Sequence, residues 1–191
     1  MTPTELLNEA KAHFPVLYVE DTAFLNSLLK KTLGKYQDKA GVLLSQTIPD
    51  DEFFIDIPTD FLAIGVVQDA RGNFHDHIIA EGQVQITKRL YPNASVPPFS
   101  FSYFLDLRNY DSDTDLPDTT ISLLLDHLEA SIDIYNTARA KRVAQSTGQD
   151  TVEFPSEQEL KERRAAVELE MEDNMSIVPV ASVHFYERGY S

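Results

Sequence analysis

The stretch that decides the fold is residues 116–143, LPDTTISLLLDHLEASIDIYNTARAKRV. Mostly apolar side chains recur in it at steps of three and four, a spacing that predicts one stripe along an α-helix. That stripe consists of Ile121, Leu124, Leu125, Leu128, Ile132, Tyr135, Arg139 and Val143. The polar residues Asp126, Glu129, Asp133 and Asn136 fall mostly on the other side. Such a helix is about 40 Å long. Its stripe therefore needs packing partners over most of its length.

Residues at both ends of this stretch favour helix boundaries. Pro117 and Asp118 favour a start, because proline suits a first turn and a carboxylate there can accept from unpaired amides. Gly148 lies just past the end and follows several basic residues, which suit the negative end of a helix dipole. The sequence therefore predicts one long helix.

The first forty residues predict an antiparallel pair of helices. Thr2 and Glu5 form a capping box, and the short helix that follows ends at Pro15. Its apolar face consists of Leu6, Leu7, Ala10 and Phe14. A second helix is predicted from about Asp21 to Gly41, where a left-handed cap is expected.

Between the helix pair and the long helix the apolar pattern changes to that of β-strands. Strands are predicted at residues 53–57, 61–67, 84–87 and 99–105, of which the last alternates aromatic and polar side chains most clearly. These segments predict one antiparallel sheet of about four strands, inserted at about residues 50–107.

The chain after Gly148 predicts a linker, a charged helix and a final apolar segment. Ser156 and Glu159 match a second capping box, so residues 149–174 form the linker and the charged helix. Residues 175–191 are apolar and β-prone and are predicted to form an extended C-terminal arm. The predicted fold class is α+β: a helical body, residues 1–148, built around one long central helix, with an inserted small antiparallel β-sheet and the arm.

The composition excludes several kinds of chemistry. The chain of 191 residues has a net charge of −15 and no cysteine, so disulfides, thiolate zinc sites and a cysteine nucleophile are excluded. The negative charge argues against sequence-specific nucleic-acid binding, because phosphates are repelled overall. The densest basic cluster is Lys30, Lys31, Lys35 and Lys39. We interpret it as a solvated face that balances acidic neighbours rather than as a phosphate site.

The sequence carries no targeting or membrane signal. No apolar run approaches the ~20 residues that a membrane span needs. The segment from Met1 to Glu5 lacks the basic start and apolar core of a signal peptide. We therefore expect a protein that is made in the cytoplasm and has no membrane partner.

Two clusters carry side chains of metal-binding type. His75 and His77 alternate, so on a strand both imidazoles could reach one metal, but the sequence nominates no third ligand. Asp111, Asp113 and Asp115 imitate the start of an EF-hand loop, yet the glycine and the bidentate glutamate of that loop are missing. We interpret the histidines as exposed polar residues and the aspartates as a turn that leads into the long helix.

The charged helix carries a third cluster, of carboxylates that alternate with arginines: Glu162, Glu168, Glu170 and Glu172. We predict a solvated face there, because paired-carboxylate catalysis needs buried groups with separated pKa values. His127, near the edge of the long stripe, is predicted to be a packed histidine. Glycine-rich phosphate loops and nucleophile elbows are not found in the sequence. The sequence therefore predicts no catalytic residue, no metal site and no cofactor.

Four segments together carry a resemblance to a known family. They are the opening helix pair with ELL at residues 5–7 and FLNSLL at 24–29, IPTDFL at 57–62, PFSFSYF at 98–104 before the acidic loop and long helix, and KERR at 161–164 before the extended tail. The layout resembles the head-to-tail adaptor (head-completion or connector) proteins of tailed bacteriophages, over nearly the whole chain. The linker and charged helix are longer here than in that family's pattern.

The resemblance implies a structural virion protein of the phage neck that is not an enzyme. Copies would form a ring, commonly of twelve, beneath the portal protein, and DNA would pass through the ring without specific binding. The arm would contact the portal through Ile177, Val178, Val180, Val183, Phe185 and Tyr186. A downstream tail or neck protein would contact the loop that contains Tyr91, Pro92, Asn93, Pro97 and Pro98.

Two alternatives stay open. One is a small metal-dependent enzyme that uses His75 and His77. The other is a different virion ring, such as a stopper or tail-completion protein. The long central helix favours the adaptor, because the other rings are usually β-dominated in their families.

Overall fold

The computed structural model describes residues 1–48, 52–87, 96–148 and 153–176. These residues form two compact units. We call residues 1–42 together with 106–176 the helical unit, and residues 43–105 the β unit. The predicted α+β class is confirmed.

Where the structure describes it, the helical unit contains four helices: α1 (Pro3–Ala12), α2 (Thr22–Lys39), α3 (Asp118–Ser146) and α4 (Glu157–Asp173). Helix α3 has 29 residues and packs against each of the other three. Both predicted capping boxes are confirmed: the Thr2 and Ser156 hydroxyls accept from the backbone amides three residues later. Asp21 caps α2 in the same way. No side chain caps α3, although Asp118 was predicted to serve there.

The buried face of α3 differs from the predicted stripe in its second half. Leu124, Leu128 and Ile132 are fully buried, as predicted. Tyr135 and Val143 are about 40% exposed, and Arg139 is exposed. The buried positions there are instead small or polar: Ser131, Asn136, Thr137, Ala140 and Ala144. The face turns because the Asn136 amide accepts from the backbone N–H of Tyr18 at 2.6 Å and donates to the carbonyl of Val16 at 3.0 Å.

The end of α4 is fastened to the end of α2. The backbone N–H of Ser176 donates to the carbonyl of Ala40 at 2.8 Å, and its hydroxyl donates to the carbonyl of Gly41 at 3.2 Å. Gly41 has a positive φ of 65°, the predicted left-handed cap. The last described residue of the chain is therefore held beside the point where the chain leaves the helical unit.

The described residues of the β unit form six strands in two sheets, not the single sheet of about four strands that the sequence predicted. The strands are β1 (Leu43–Ile48), β2 (Phe54–Asp56), β3 (Phe61–Gln68), β4 (His77–Ala80), β5 (Gln83–Ile86) and β6 (Phe99–Leu105). One sheet has the order β1-β6-β3 and the other β2-β5-β4, and all pairs are antiparallel.

Strand β6 is the centre of the first sheet, and its alternation explains why. Phe99, Phe101, Tyr103 and Leu105 are all buried, while the residues between them are half-buried. In the second sheet, β4 and β5 form a hairpin through Glu81 and Gly82, whose φ angles are both positive, as this tight turn requires. The sequence predicted neither β1 nor β4, and because of β1 the strands begin at Leu43 rather than at about residue 50.

Several predictions fall outside the described residues. These are the arm contacts Ile177, Val178, Val180, Val183, Phe185 and Tyr186, and the loop residues Tyr91, Pro92 and Asn93. Among the helices in the described ranges, none combines the length and apolar character that crossing a membrane requires.

Candidate functional site

A groove of about 630 Å³ lies within the helical unit, between α2, α3, α4 and the segment that follows β6. Five cationic side chains line it: Lys30, Lys31, Lys35, Arg108 and Arg164. Two carboxylates, those of Asp38 and Glu168, also line it. The lining thus has a formal charge of +3, on a chain whose net charge is −15. The groove therefore attracts anionic groups while the rest of the surface repels them.

Glu168, which lines the groove, contacts side chains on three helices. Its Oε1 lies 3.3 Å from Nε2 of His127 on α3 and 3.6 Å from Nε of Arg164 on α4, and its Oε2 lies 3.5 Å from Nζ of Lys35 on α2. Burial acts to raise the pKa of Glu168, but the hydrogen bond with His127 and the charge of Lys35 outweigh it and lower the pKa. The carboxylate is therefore ionised, and it holds α2, α3 and α4 together.

His127 is buried at 4% exposure and is neutral in the fold. Burial lowers its pKa, and the opposing hydrogen bond with Glu168 does not restore it. Nδ1 lies 2.9 Å from the hydroxyl of the fully buried Thr32. A neutral imidazole satisfies both contacts by donating from Nε2 to Glu168 and accepting at Nδ1 from Thr32. The prediction of a packed histidine is confirmed.

Arg108 lines the groove and packs along the surface of α2. Its backbone N–H donates to Oε1 of Gln37 at 3.0 Å, and its guanidinium forms an ion pair with Asp38. A Cβ atom placed on Gly34 would lie 3.4 Å from Cγ of Arg108 and 3.7 Å from its Nε. The glycine inside α2 is therefore where the arginine side chain packs closely against the helix.

The four lysines of α2 divide into two pairs. Lys35 and Lys39 form ion pairs with Glu168 and Glu172, so the predicted balance with acidic neighbours is confirmed for them. Lys30 and Lys31 are exposed, and within the described ranges neither forms an ion pair. These two lysines therefore leave uncompensated positive charge at the groove.

The predicted solvated face of α4 is correct for only part of its carboxylates. Glu162 and Glu170 are exposed, as predicted. The prediction is wrong for Glu168, whose side chain is only 21% exposed because Lys35 of α2, His127 of α3 and Arg164 of α4 surround it. Glu172 is ion-paired with Lys39 at the surface.

The aspartate cluster before α3 forms a turn, as predicted. Oδ1 of Asp111 accepts from the backbone N–H of Asp113 at 3.3 Å. Asp115 forms an ion pair of 2.8 Å with the amino group of Met1, and the hydroxyl of Thr4 donates to the carbonyl of Ser112 at 3.2 Å. Across the described residues, no group of three or more histidines and carboxylates is arranged to hold a metal ion.

A second polar centre lies in the β unit, at the buried carboxylate of Asp69. Its oxygens accept from the backbone N–H groups of Arg71 and Asn73 at 2.9 Å, from the Asn73 side-chain amide at 2.9 and 3.2 Å, and from the Val96 N–H at 3.3 Å. Burial acts to raise the pKa of Asp69, but these hydrogen bonds outweigh it and hold the pKa well below its usual range. Asp69 thus fixes the loop after β3.

His75 and His77 do not lie in equivalent surroundings. Nε2 of His75 is buried 3.4 Å from Oδ2 of Asp69, and its ring meets Phe99 edge-on at 5.2 Å. His77 begins strand β4. The interpretation of His75 as exposed decoration is therefore wrong, because its ring packs into the β unit at 19% side-chain exposure.

Two residues of the predicted tail-contact loop are described. Pro97 and Pro98 are exposed and directly precede β6. Their neighbour Val96 is held by two bonds: its N–H donates to Asp69, and its carbonyl accepts from Ala70 at 2.8 Å. The backbone directly before the two prolines is therefore held in place by hydrogen bonds.

The sequence predicted the basic side chains of α2 as a solvated face, but it did not predict the groove that they line. The lysine spacing placed the basic face on α2, and the second capping box placed α4. Arg108 and Glu168 gave no signal of their contacts with other segments, because Asp38, Lys35 and His127 lie far away from them in the chain. The Asp69 loop did have a signal, since Asp69 and Asn73 flank a glycine in a turn-forming stretch.

No protein-family model matches this sequence, and no curated protein matches it significantly.

Proposed function

We propose that this chain is a structural virion protein, a head-to-tail adaptor of the tailed-bacteriophage type. Copies form a ring beneath the portal, extend the DNA channel and join the head to the tail. The fold belonging to this proposal is a helical bundle around α3 as its central helix, with an extended C-terminal arm. DNA passes through the channel without specific binding.

The observation that carries the proposal is the order of the elements. The chain forms α1 and α2, leaves the helical unit after Val42, makes six strands, and returns at Asp106 to form α3 and α4. A helix pair, an inserted β region, a long helix and a further helix are the layout of the adaptor family that this sequence resembles. The shared order supports an adaptor more than a β-dominated stopper or tail-completion ring.

The charge distribution gives the proposal a physical basis. A channel wall with a surplus of carboxylates repels phosphates and lets DNA slide. The net charge of −15 supplies this surplus. Five of the basic side chains line a single groove, so the remaining surface is more negative still.

The proposed contacts lie on two segments. The arm, through Ile177, Val178, Val180, Val183, Phe185 and Tyr186, contacts the portal. The loop with Tyr91, Pro92, Asn93, Pro97 and Pro98 contacts the next tail or neck component. The exposure of Pro97 and Pro98 supports the second contact.

Electron microscopy of the full chain mixed with portal rings tests the proposal. We expect the full chain to add a layer to the portal ring. A chain that ends at Ser176 keeps the hydrogen bonds of Ser176 to Ala40 and Gly41, so it stays folded by far-UV circular dichroism but does not attach. A shortened chain that still decorates portal rings would contradict the arm contact. Failure of the full chain to attach to any portal ring would contradict the adaptor function.

The enzyme alternative makes a different prediction. A metal-dependent enzyme that uses His75 and His77 should contain stoichiometric zinc or manganese after purification. Elemental analysis of the purified full chain measures this directly, and bound metal lost in a His77→Ala variant would favour the enzyme over the adaptor.

A further inference from the structure

We propose that the basic groove receives the acidic loop of a second copy of this chain. The acidic loop is residues 111–118, DSDTDLPD, with aspartates at 111, 113, 115 and 118. This inference rests on the proposed ring, because it names the contact by which neighbouring copies join.

The groove offers charge that its own helical unit does not neutralise. Glu168 is shared between Lys35, Arg164 and His127, and Asp38 is paired with Arg108. Lys30 and Lys31 line the same groove, and the described ranges contain no ion pair to either. The groove therefore has two ammonium groups available for carboxylates from outside.

The acidic loop offers the complementary charge in a fixed shape. Asp111 and Asp113 are exposed, and no ion pair to them occurs among the described residues. The loop is fastened at both ends: Thr4 donates to the carbonyl of Ser112, and the Leu116 N–H donates to the carbonyl of Met1 at 2.9 Å. An ordered loop loses little conformational entropy when it binds.

A second copy is the occupant that the charges favour. Each chain brings one groove and one acidic loop, so the two charge patterns occur in equal number. Contact between two different patches of identical chains is heterologous, and it closes into a ring when the rotation between neighbours allows. Like charges elsewhere on two chains of net charge −15 disfavour other docking orientations.

Charge reversal on each side tests the contact without a portal. The groove variant is Lys30→Glu with Lys31→Glu, and the loop variant is Asp111→Lys with Asp113→Lys. We expect sedimentation velocity to show that each variant alone self-associates about tenfold or more weakly than the wild type. An equimolar mixture should regain association, because each loop then faces a groove of opposite charge.

The control variant changes the same charge outside the groove. Lys161 and Arg163 lie on α4 with side chains 52% and 63% exposed, and neither lines the groove. Lys161→Glu with Arg163→Glu should leave self-association within about twofold of the wild type. Far-UV circular dichroism checks that every variant is folded.

Cross-linking gives a second measurement, because the chain has no cysteine of its own. A mixture of Lys31→Cys and Asp113→Cys chains should oxidise mainly to the mixed dimer, in preference to either homodimer. A statistical mixture of dimers, equal association of all the charge variants, or a wild-type chain that stays monomeric with no mixed dimer would overturn the inference.

The outcomes separate this inference from the proposed function. Portal attachment that survives charge reversal, with no mixed dimer, would leave the adaptor standing and remove the groove contact. A mixed dimer without attachment to any portal ring would leave the groove contact standing and remove the adaptor.

Discussion

The helical unit and the β unit use buried polar side chains in opposite ways. In the helical unit, Thr32 contacts His127 across 95 positions, and Asn136 contacts Val16 across 120. In the β unit, Asp69 binds mainly its own loop, at Arg71 and Asn73. Polar pairs in the helical unit join segments that are distant in the chain, whereas in the β unit a carboxylate holds mainly its own turn.

The leucines of α1 and α3 are buried more completely than the isoleucines of strand β4. The core of the helical unit includes fully buried leucines on α1 and α3, such as Leu6, Leu124 and Leu128. In the β unit, Ile78 and Ile79 follow one another on strand β4 and are 49% and 52% exposed. Loss of a buried leucine of α3 should therefore cost more stability than loss of Ile78 or Ile79.

The largest expected effect is at Leu128, in the middle of α3. Leu128→Asp buries an unpaired charge and should unfold the helical unit, with a loss of about 4 kcal/mol or more. Leu169→Asp on α4 is the control, because Leu169 is 59% exposed and its variant should melt like the wild type. Thermal melting followed at 222 nm measures both, and an unchanged melting curve for Leu128→Asp would contradict the assignment of this face as core.

A smaller and local effect is expected at Asp69. Asp69→Ala leaves the N–H groups of Arg71, Asn73 and Val96 without their acceptor, which should cost about 2–4 kcal/mol. Hydrogen exchange followed by NMR should show these amides exchanging faster while the amides of α3 are unchanged. Asp69→Asn keeps one acceptor oxygen, so the exchange rates of these amides should lie between those of the wild type and those of Asp69→Ala. Faster exchange throughout α3 would show that the effect is not confined to the β unit.

The smallest effect is an acid sensitivity of the helical unit. The pKa of His127 is lowered by burial, so the unfolded chain binds more protons as the pH falls below about 6.5. The free energy of unfolding is therefore higher above that pH, and it falls below that pH by at most about 1.4 kcal/mol per pH unit. Urea unfolding followed at 222 nm at pH 7.5 and 5.5 measures the loss.

The control for the acid sensitivity is His127→Gln, which removes the titrating group. This variant should show a smaller difference in stability between the two pH values than the wild type. The lowered pKa of Glu168 adds a loss in the same direction, but only nearer its ordinary range, at more acidic pH. A wild-type stability that rises between pH 7.5 and 5.5 would contradict a neutral His127.

The sequence predicted those elements whose signals are local. The capping boxes at Thr2 and Ser156 located two helix starts, because their hydrogen bonds span three residues. The alternation of β6 located the central strand of its sheet, because every second side chain is buried. Strand β1 was missed, since its burial pattern alternates only weakly.

The sequence did not predict features that depend on distant partners. The second half of α3 buries Asn136 because a backbone segment near Tyr18 supplies its hydrogen bonds, and no periodicity in α3 reports that segment. The groove likewise depends on Arg108 reaching Asp38, 70 positions earlier in the chain. A polar side chain can be buried where another segment supplies its hydrogen bonds, and the fold rather than the local sequence determines which segment that is.

The two hydrogen bonds from Ser176 to Ala40 and Gly41 have a mechanical consequence. Tension applied to residues 177–191 reaches Ala40 and Gly41 first, and these two residues lie between the end of α2 and Val42, where the chain leaves the helical unit. A pull on this tail therefore loads the C-terminal end of α2 as well as α4, and breaking the two hydrogen bonds of Ser176 would be its first step.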